Sequence, residues 1–291
     1  MKIAVYGKSI NHSLKKNFEI LFNNFSEKNI EFLIYKPFYD FFKNSMNLNL
    51  SVNSYFTSYS DLNNNIDLLI SVGGDGTFLE TITIIKNKDI PVLGINTGRL
   101  GFLATVSPND ISKLTNFIIE GNYTVEERTL LKLDTKGLFD DFSYALNDIT
   151  IQKVGSGLIT IHTYLDDEYL NSYWADGLII ATPTGSTAYS LSVGGPIMVP
   201  NIENFIISPI APHTLSVRPI VVPDFVKITL KVESRDLEYI LSLDHQSKRL
   251  NNSIDINISK GDYKIKLLKL PDTSYYQTLR NKLMWGIDKR N

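Results

Sequence analysis

A glycine-rich segment with one aspartate, residues 71–79 (SVGGDGTFL), has the residue types best suited to chemistry in this chain. The apolar run at 66–70 predicts a buried parallel strand before it, and the apolar residues from Thr77 onward predict a helix after it. Glycine lets a ligand approach the backbone closely, and a helix start offers N–H groups to an anion such as phosphate. Asp75 repels an anion, so it fits better as a base or as a group that holds a sugar hydroxyl or a metal. The alternative, a plain tight turn with a capping aspartate, explains a bare Gly-Asp-Gly equally well.

Two other phosphate-binding signatures are excluded by single residues. The dinucleotide fingerprint Gly-x-Gly-x-x-Gly fails because Leu79 stands where its third glycine is needed. A phosphate-loop signature ending at residues 7–9 (GKS) fails because Lys2 stands in place of its first glycine. By these motifs the chain is neither an ordinary Rossmann dehydrogenase nor a P-loop enzyme.

Three further segments combine polar side chains with turn residues. Residues 96–103 (NTGRLGFL) follow an apolar strand at 91–95, and two glycine loops after neighbouring strands would face one crevice. Residues 176–196 concentrate hydroxyls and glycines, and a helix beginning after residues 184–186 would offer N–H and O–H donors to a phosphate or a ribose. The alternative there is a turn that satisfies its own backbone. The pair at 147–148 (ND) could hold ribose hydroxyls, although such a pair alone more often forms a turn.

Composition and charge narrow the function classes. The 291 residues predict about two domains, and a net charge of −2 gives no general affinity for nucleic acid or an anionic membrane. The absence of cysteine excludes disulfides, thiolate catalysis and zinc–cysteine sites. No apolar run approaches the ~18 residues of a membrane span, and the first residues are typical of a strand rather than a signal peptide, so a cytoplasmic location is expected. His213 and His245 lack zinc-site spacing, and no metal site held by the protein is predicted.

The order of the patterns predicts an α/β fold in two parts. Residues 1–121, together with 271–291, are predicted to form an N-terminal Rossmann-like α/β domain that carries the glycine–aspartate loop. Residues 122–270 alternate with a period of two, at Ile265 and Leu267 among others, and predict an antiparallel β-sandwich-like domain.

Some local features of the first part are also predicted. Ser13 is the expected N-cap of a first helix. Residues 41–65 are expected to be irregular, with one helix and one short strand. The chain from 274 to 291 is expected to be helical and to pack back on the first domain.

These segments together resemble the bacterial NAD kinase family. The stretch at 182–189 (TPTGSTAY) is the most specific, whereas the glycine–aspartate loop is shared with lipid kinases. The resemblance covers residues 68–246, and the roughly 60 N-terminal residues are not diagnostic. The segments that carry it, in the order typical of the family, are residues 73–77, 96–103, 147–148, 176–196, 212–219 and 244–246.

The resemblance implies transfer of the γ-phosphoryl group of ATP to the 2′-hydroxyl of the adenosine ribose of NAD, which gives NADP. It implies Asp75 as the proton acceptor, and Gly73, Gly74 and Thr77 as the phosphate loop. The residues implied to bind the nucleotides are Gly76, Asn147, Asp148, Trp174, Asp176, Thr187, Ala188, Tyr189, Ser190, Leu191, Ser192, Ala211 and Gln246.

The resemblance also implies partners and a cofactor. Family members are usually dimers or tetramers with an NAD site built partly across subunits, so a homodimer or homotetramer is expected. They use a divalent cation with the nucleotide, which implies Mg²⁺ bound with ATP. The choice between ATP and polyphosphate as donor, the use of NADH and feedback regulation stay open.

Two positions depart from a common family pattern, and two other functions stay in view. Glu80 and Trp174 stand where basic residues are frequent, which leaves fewer positive charges for phosphate contacts. A diacylglycerol-type lipid kinase would share residues 73–77 but would have little use for residues 176–196. A non-enzymatic dinucleotide sensor would keep the binding residues and lose Asp75, which is present.

Overall fold

The computed structural model describes residues 1–63, 65–252, 254–271 and 273–284. The chain divides into two compact units, Met1–Glu127 with Ile265–Asn291, and Arg128–Lys264. The fold is α/β, with a parallel sheet in the first unit and antiparallel sheets in the second. Within the described residues no helix is both long and apolar enough to cross a membrane.

Most of the helices belong to the first unit, whereas the second unit consists mainly of strands. The helices are α1 (Lys15–Glu27), α2 (Lys36–Ser45), α3 (Asp75–Ile85), α4 (Ile111–Ile119), α5 (Tyr189–Ser192) and α6 (Tyr275–Leu283). The strands are β1 (Lys2–Gly7), β2 (Glu31–Tyr35), β3 (Ser54–Phe56), β4 (Leu68–Gly73), β5 (Val92–Asn96), β6 (Ala104–Val106), β7 (Thr124–Arg128), β8 (Leu131–Leu133), β9 (Tyr144–Ala145), β10 (Asp148–Lys153), β11 (Ile159–Leu165), β12 (Glu168–Ala175), β13 (Gly177–Ala181), β14 (Asn204–Ile210), β15 (Ile220–Pro223), β16 (Ile228–Ser234), β17 (Glu238–Leu243), β18 (Gln246–Asn251), β19 (Ile256–Lys260) and β20 (Ile265–Lys269).

The sheet of the first unit places the glycine–aspartate segment at its point of reversal. The strand order is β3-β2-β1-β4-β5-β20-β7, with β6 beside β5. The chain builds outward from β1 on one side and then returns to the other side at β4, and β1 and β4 are parallel with Gly7 opposite Val72. In open α/β sheets a ligand binds at this reversal, beyond the carboxyl ends of the strands. The segment that begins at Gly73 lies there.

The core of the first unit explains α1 and α2. Phe18, Leu21, Phe22 and Phe25 are buried at helical spacing on one face of α1. The prediction that Ser13 caps this helix is wrong. Asn11 accepts the Ser13 N–H at 2.9 Å and caps a 3₁₀ turn at His12–Leu14 that precedes α1, so the N-cap position of α1 falls at Leu14.

The region at 41–65 contains less regular structure than its neighbours. Its helix, α2, begins before the region at Lys36, directly after β2, with Pro37 in the first turn. Phe38 and Phe42 of this helix are fully buried, which fixes it on the sheet. The short strand β3 and a 3₁₀ turn at Tyr59–Asp61 complete the region.

The second unit is two antiparallel six-stranded sheets with a shared apolar core. The strand orders are β15-β14-β13-β10-β17-β18 and β12-β11-β16-β19-β8-β9. The two inner faces supply one buried cluster, in which Ile149, Ile151 and Ile180 of the first sheet join Ile161 and Leu230 of the second. The period of two in the sequence follows from this packing, because alternate side chains point to opposite faces. The predicted sandwich-like fold is confirmed.

One strand assigned to this sandwich belongs elsewhere. Ile265 and Leu267 lie in β20, which pairs in parallel with β5 of the first unit, with Leu267 opposite Val92. The assignment of these two residues to the β-rich part is therefore wrong. Alternating apolar residues identify a strand but not the sheet to which it belongs. The two residues were grouped with the alternating segments that precede them in the sequence. The units meet in sequence at 127/128 and 264/265, against the predicted 121/122 and 270/271.

The end of the chain is helical over α6, within the first unit. Leu279 is its buried residue, and most of its other side chains are exposed or half-buried. The part of the predicted helix at 285–291 lies outside the described residues.

Candidate functional site

Asp75 joins the two glycine loops of the first unit. Its carboxylate accepts the backbone N–H groups of Phe102 at 2.9 Å, Leu103 at 3.0 Å and Ala104 at 3.0 Å. Asp75 is the first residue of α3 and Gly74 is the N-cap, so the carboxylate is not a simple cap of its own helix. The structure thus brings together the two loops that the sequence placed at one crevice.

The second loop is shaped by its own asparagine and by a glycine. The Asn96 side chain donates to the carbonyl oxygens of Arg99 and Ala104 and accepts the Gly98 N–H at 2.7 Å. A Cβ at Gly101 would overlap the Asp75 carboxylate. Gly101 is therefore required by close approach, and the amides that follow it can reach Asp75 for that reason.

The predicted phosphate-loop glycines fall into two kinds. A Cβ at Gly73 would overlap the side chain of Thr77, so these two residues pack against one another. A Cβ at Gly74 or Gly76 would meet no atom within 4 Å. The first turn of α3 is thus open on the side of these glycines, where its N–H groups can reach an anion.

The charges beside this turn are Glu80 and two lysines that the motifs did not point to. Glu80 on α3 binds Lys8 at 2.7 Å and the Tyr6 hydroxyl at 3.1 Å. Burial of the Tyr6 hydroxyl, together with the Glu80 charge, raises the pKa of Tyr6 well above its usual range. Lys282, from α6, lies 3.4 Å from Oδ2 of Asp75. Neither lysine was predicted as a site residue, because Lys8 stands in a phosphate-loop signature that fails and Lys282 lies in a segment without a motif.

In the second unit, Asp244 holds the turn that carries Asn147 and Asp148. Its carboxylate accepts the N–H groups of Leu146 at 2.8 Å, Asn147 at 2.8 Å and Asp148 at 3.1 Å. Desolvation raises the pKa of Asp244, with the Asp148 charge adding to this and the three N–H donors opposing it. Asp244 thereby fixes the backbone of the predicted ribose-binding pair.

A polar row crosses the outer face of the first sheet of this unit. Asp148, Thr150 and Gln152 alternate with buried isoleucines on β10, and Thr150 donates to Asp148 at 2.8 Å. Gln152 donates to the Tyr189 hydroxyl at 3.1 Å. Burial raises the pKa of Asp148 to about 6. Thr150 and Gln152 were missed, although their alternation with isoleucine was a readable signal.

The hydroxyl-rich segment is mostly occupied with its own structure. The expected helix start is a 3₁₀ turn at Gly185–Thr187 followed by the four-residue α5. The hydroxyls of Thr182, Ser186 and Thr187 donate to carbonyl oxygens of Leu146, Pro183 and Thr184. These hydroxyls fix the turn, in which Gly185 packs on the Asn147 carbonyl so closely that a Cβ would not fit. A hydroxyl that donates to a carbonyl can still accept, so the assignment of Thr187 to the nucleotide-binding residues stays a prediction.

Ser190 is fully buried, and its hydroxyl lies 3.1 Å from the Ser208 hydroxyl. The assignment of Ser190 to the nucleotide-binding residues stays a prediction. Its neighbours on this turn are more accessible: Thr187, Ala188 and Leu191 are half-buried, and Tyr189 and Ser192 are exposed.

Predicted nucleotide-binding residues lie at both ends of β10 and β13. At one end lie Asn147, Asp148 and the hairpin of Asp244 and Gln246, since Asp148 pairs with Ala181 and Ile149 with Leu243. At the other end Gln152 pairs with Gly177, and this pairing places Asp176 beside Lys153. Four residues of strand, about 13 Å, separate the two ends.

The Asp176 end carries its own polar contacts. Asp176 binds Lys153 Nζ at 2.6 Å and donates its N–H to the Ile210 carbonyl, next to Ala211. Trp174 is half exposed, and its ring centre lies 6.3 Å from that of His213. Within the described part of the chain, no group of three or more His, Cys, Asp and Glu side chains could hold a metal ion.

Comparison with known proteins settles the family. A family model described as the ATP-NAD kinase N-terminal domain matches residues 10–123, and one described as the ATP-NAD kinase C-terminal domain matches residues 146–270. The chain belongs to the ATP-NAD kinase family. The resemblance drawn from the motifs is confirmed.

Relatives and solved structures agree with this family. The chain is 45% identical to the NAD kinase of Flavobacterium johnsoniae over the full length of both, and 50% identical to that of Bacteroides fragilis over 76% of this chain and 77% of the relative. An NAD kinase from Archaeoglobus fulgidus in complex with ATP superposes with a TM-score of 0.76 at 27% identity, covering 98% of this chain and 99% of that one. Yeast NADH kinase complexed with NADH shares the fold, with a TM-score of 0.85 at 24% identity over 99% of this chain and 89% of that chain.

The contact between Asp75 and the second loop can be tested with two glycines of that loop. Gly101→Ala should lower the free energy of unfolding by about 1–3 kcal/mol, because the new methyl group displaces the Asp75 carboxylate. Gly98→Ala is the matched control, since its Cβ would come no closer than 3.9 Å to the Asn96 side chain. Chemical denaturation of both variants measures the difference. Equal effects of the two changes would contradict the contact.

The raised pKa of Asp148 predicts a pH-dependent effect on stability. The pKa rises from 3.8 to about 6 on folding, so the neutral form is favoured in the fold and this contribution is lost as pH rises through about 6. The free energy of unfolding of Asp148→Asn, relative to that of wild type, should therefore rise by about 1 kcal/mol when the pH is raised from about 5 to about 7.5. Thermal or chemical unfolding at the two pH values measures it. The exposed change Asp140→Asn is the control, and the same pH response in both variants would show that burial of Asp148 is not the cause.

Proposed function

We propose that this chain is an NAD kinase that transfers the γ-phosphoryl group of ATP to the 2′-hydroxyl of the adenosine ribose of NAD. The observation that carries the proposal is Asp75, a half-buried carboxylate fixed by three N–H groups beside the open first turn of α3. An anion-binding turn and an acceptor of a hydroxyl proton, next to one another, are what phosphoryl transfer to an alcohol requires.

The roles of the residues follow from their surroundings. The open glycines Gly74 and Gly76 let phosphate oxygens reach the N–H groups of α3. Asp75 orients the acceptor hydroxyl and takes its proton. Asn147, with its backbone fixed by Asp244, offers both a donor and an acceptor to a ribose. The exposed Tyr189 offers an aromatic face with a polar tip to the dinucleotide.

A divalent cation enters this proposal as part of the nucleotide substrate. Near the glycine turn, Asp75 and Glu80 already bind N–H groups or lysines, and no larger acidic group surrounds them in the described residues. This donor set fits Mg²⁺ that is held by phosphates and water rather than by a protein cage. Mg²⁺ bound with ATP neutralises charge on the phosphates. The protein residues position the groups between which the phosphoryl moves.

The two other functions weighed from the sequence have less support. A lipid kinase would not require the C-terminal domain that the family model matches over residues 146–270. A binding protein without activity would use the amide contacts of Asp75 but would not need a base beside the acceptor hydroxyl, so turnover separates it from a kinase. A cytoplasmic location remains a prediction.

The function is tested by NADP formation from NAD with ATP, beside parallel reactions with polyphosphate, with NADH and with diacylglycerol. We expect NADP with ATP and no phosphorylation of diacylglycerol. Excess EDTA should abolish turnover because the nucleotide then lacks its cation. Phosphorylation of the lipid, or NAD binding by calorimetry without turnover, would contradict the proposal.

The role of Asp75 as base is tested by Asp75→Asn. Asparagine keeps the shape and can accept from the amides of Leu103 and Ala104, but it cannot take a proton. We expect kcat to fall by about 10²–10⁴-fold, the usual contribution of a positioned base. Because an NH₂ group would then face the Phe102 N–H, unfolding is measured alongside. A folded variant with kcat within about threefold of wild type would refute the role, on the same scale of effects.

We further propose that the protein is a homo-oligomer and that subunits share the NAD site. Strand β15 lies at the end of its sheet and exposes Ile220 and Val221, and Leu215 and Phe225 nearby are 94% and 78% exposed. An unpaired apolar edge of this kind favours pairing with another chain. The separation of Asn147 and Asp176 to opposite ends of β10 and β13 supports their serving different sites.

A mixed oligomer tests this sharing. Asn147→Ala and Asp176→Ala should each lose activity alone. When both variants are expressed together, a site shared across a two-fold interface regains about a quarter of wild-type activity, because half of the dimers are mixed and one of their two sites is intact. A site within one subunit gives no recovery. Light scattering that shows a monomer would also contradict the proposal.

A further inference from the structure

The C-terminal helix α6 lies against the second glycine loop of its unit. The ring centres of Tyr275 and Phe102 are 6.3 Å apart, and Leu279 is buried. Lys282 Nζ lies 4.6 Å from the centre of the Phe102 ring. An ammonium over an aromatic face is held there by the ring quadrupole. The helix thus presents Lys282 at the loop whose amides bind Asp75.

All acceptor positions of Asp75 have a donor. An ionised carboxylate offers about four lone-pair positions on its two oxygens. Oδ1 accepts from Leu103 and Ala104, and Oδ2 accepts from Phe102 and, at 3.4 Å, from Lys282. A substrate hydroxyl that donates to Asp75 therefore competes with these donors, of which Lys282 makes the longest contact.

Lys282 is the donor that can leave. The other three are backbone amides whose positions are set by Asn96 and Gly101. The side chains of Lys282 and Asp75 are 34% and 29% exposed, and ion pairs so accessible to water contribute little to stability. The three amides also continue to neutralise the Asp75 carboxylate after the ammonium moves away.

The phosphate side of the reaction needs a cation of this kind. Phosphoryl transfer depends on positive groups that face the transferred oxygens. Glu80 on α3 stands at a position where basic residues are frequent in the family, and it already binds Lys8. This position therefore supplies no positive charge to the phosphate. Lys282 is a cation beside Asp75, and the Asp75 carboxylate keeps its three amide donors when Lys282 moves away.

We propose that Lys282 binds the γ-phosphoryl group of the nucleotide, exchanging its contact with Asp75 Oδ2 for a phosphate oxygen. This inference rests on the proposed function. The exchange leaves Oδ2 free to accept the 2′-hydroxyl. In the transfer, the bond from O2′ to the γ-phosphorus forms while the bond from that phosphorus to the β,γ-bridging oxygen breaks. The hydroxyl proton passes to Oδ2, ADP leaves with the electron pair of the broken bond, and Lys282 stays protonated.

The experiment compares the full-length wild type with Lys282→Gln, Lys282→Arg and Arg280→Gln. The last is the matched control, because it removes an exposed positive charge from the same helix. NADP formation gives kcat and the KM values for ATP and NAD. Calorimetry gives the Kd of a non-hydrolysable ATP analogue and, separately, of NAD without nucleotide. Thermal unfolding reports on the fold of each variant.

We expect Lys282→Gln to lower kcat/KM for ATP by about 10²-fold, the scale of one lost donor to transferred charge. The Kd of the ATP analogue should rise, whereas the Kd of NAD should stay equal or fall because a competing donor is gone. Lys282→Arg should recover most of the loss, and Arg280→Gln should stay within about twofold of wild type, as for an exposed charge.

Three results would overturn the proposal. They are wild-type kcat/KM in Lys282→Gln, an equal loss in Arg280→Gln, and equal weakening of NAD and the ATP analogue with a lowered Tm. If the wild type forms no NADP, the proposed function fails instead. The affinities for the ATP analogue then decide separately whether Lys282 binds phosphate.

Discussion

The geometry of the first unit depends on a single carboxylate that accepts three consecutive backbone amides. Asp75 begins α3, and the amides that it binds lie at the end of the loop after β5. The contact holds the two glycine loops in one arrangement, in addition to the hydrogen bonds that Asn96 makes within the second loop. The first turn of α3 stays open beside Gly74 and Gly76, where a Cβ would meet no atom within 4 Å. Binding surface and reactive group are therefore fixed by the same hydrogen bonds.

The second unit uses the same device at a different place. Asp244 accepts the amides of Leu146, Asn147 and Asp148 and fixes the turn that leads into β10. In both units an acidic side chain replaces the regular hydrogen bonds that irregular backbone lacks. The two sites differ in how exposed their acidic side chains are to solvent. Asp148 lies in a buried polar row and its pKa is raised, whereas Asp75 borders open space.

The sequence predicted the fold more fully than the contacts within it. Strand periodicity and glycine spacing identified the two kinds of sheet and the loops, since burial of alternate residues determines both. The pattern could not assign β20 to its sheet, because Leu267 pairs with Val92 far earlier in the chain. It could not show that Thr182 and Ser186 donate to their own backbone, because a hydroxyl has the same chemistry with either partner. The position of Lys282 beside Asp75 could not be predicted, because no motif or residue spacing includes it. The amides that bind Asp75 could not be predicted either, because they are backbone groups that any residue carries.

The place of β20 in the first sheet has a consequence for how the chain is made. This strand lies between β5 and β7, yet it is synthesised after all of the second unit. Until then β7 and the part of β5 near Val92 lack this neighbour, while β6 already pairs with β5 at Gly94 and Ile95. The first unit therefore emerges from the ribosome with an incomplete sheet. The second unit is a continuous stretch of chain and can fold before β20 completes the sheet of the first unit. Assembly of the first sheet is thus delayed by long-range pairing, which is slow to form. The interval before β20 arrives is when this protein is most exposed to aggregation through an unfilled sheet edge.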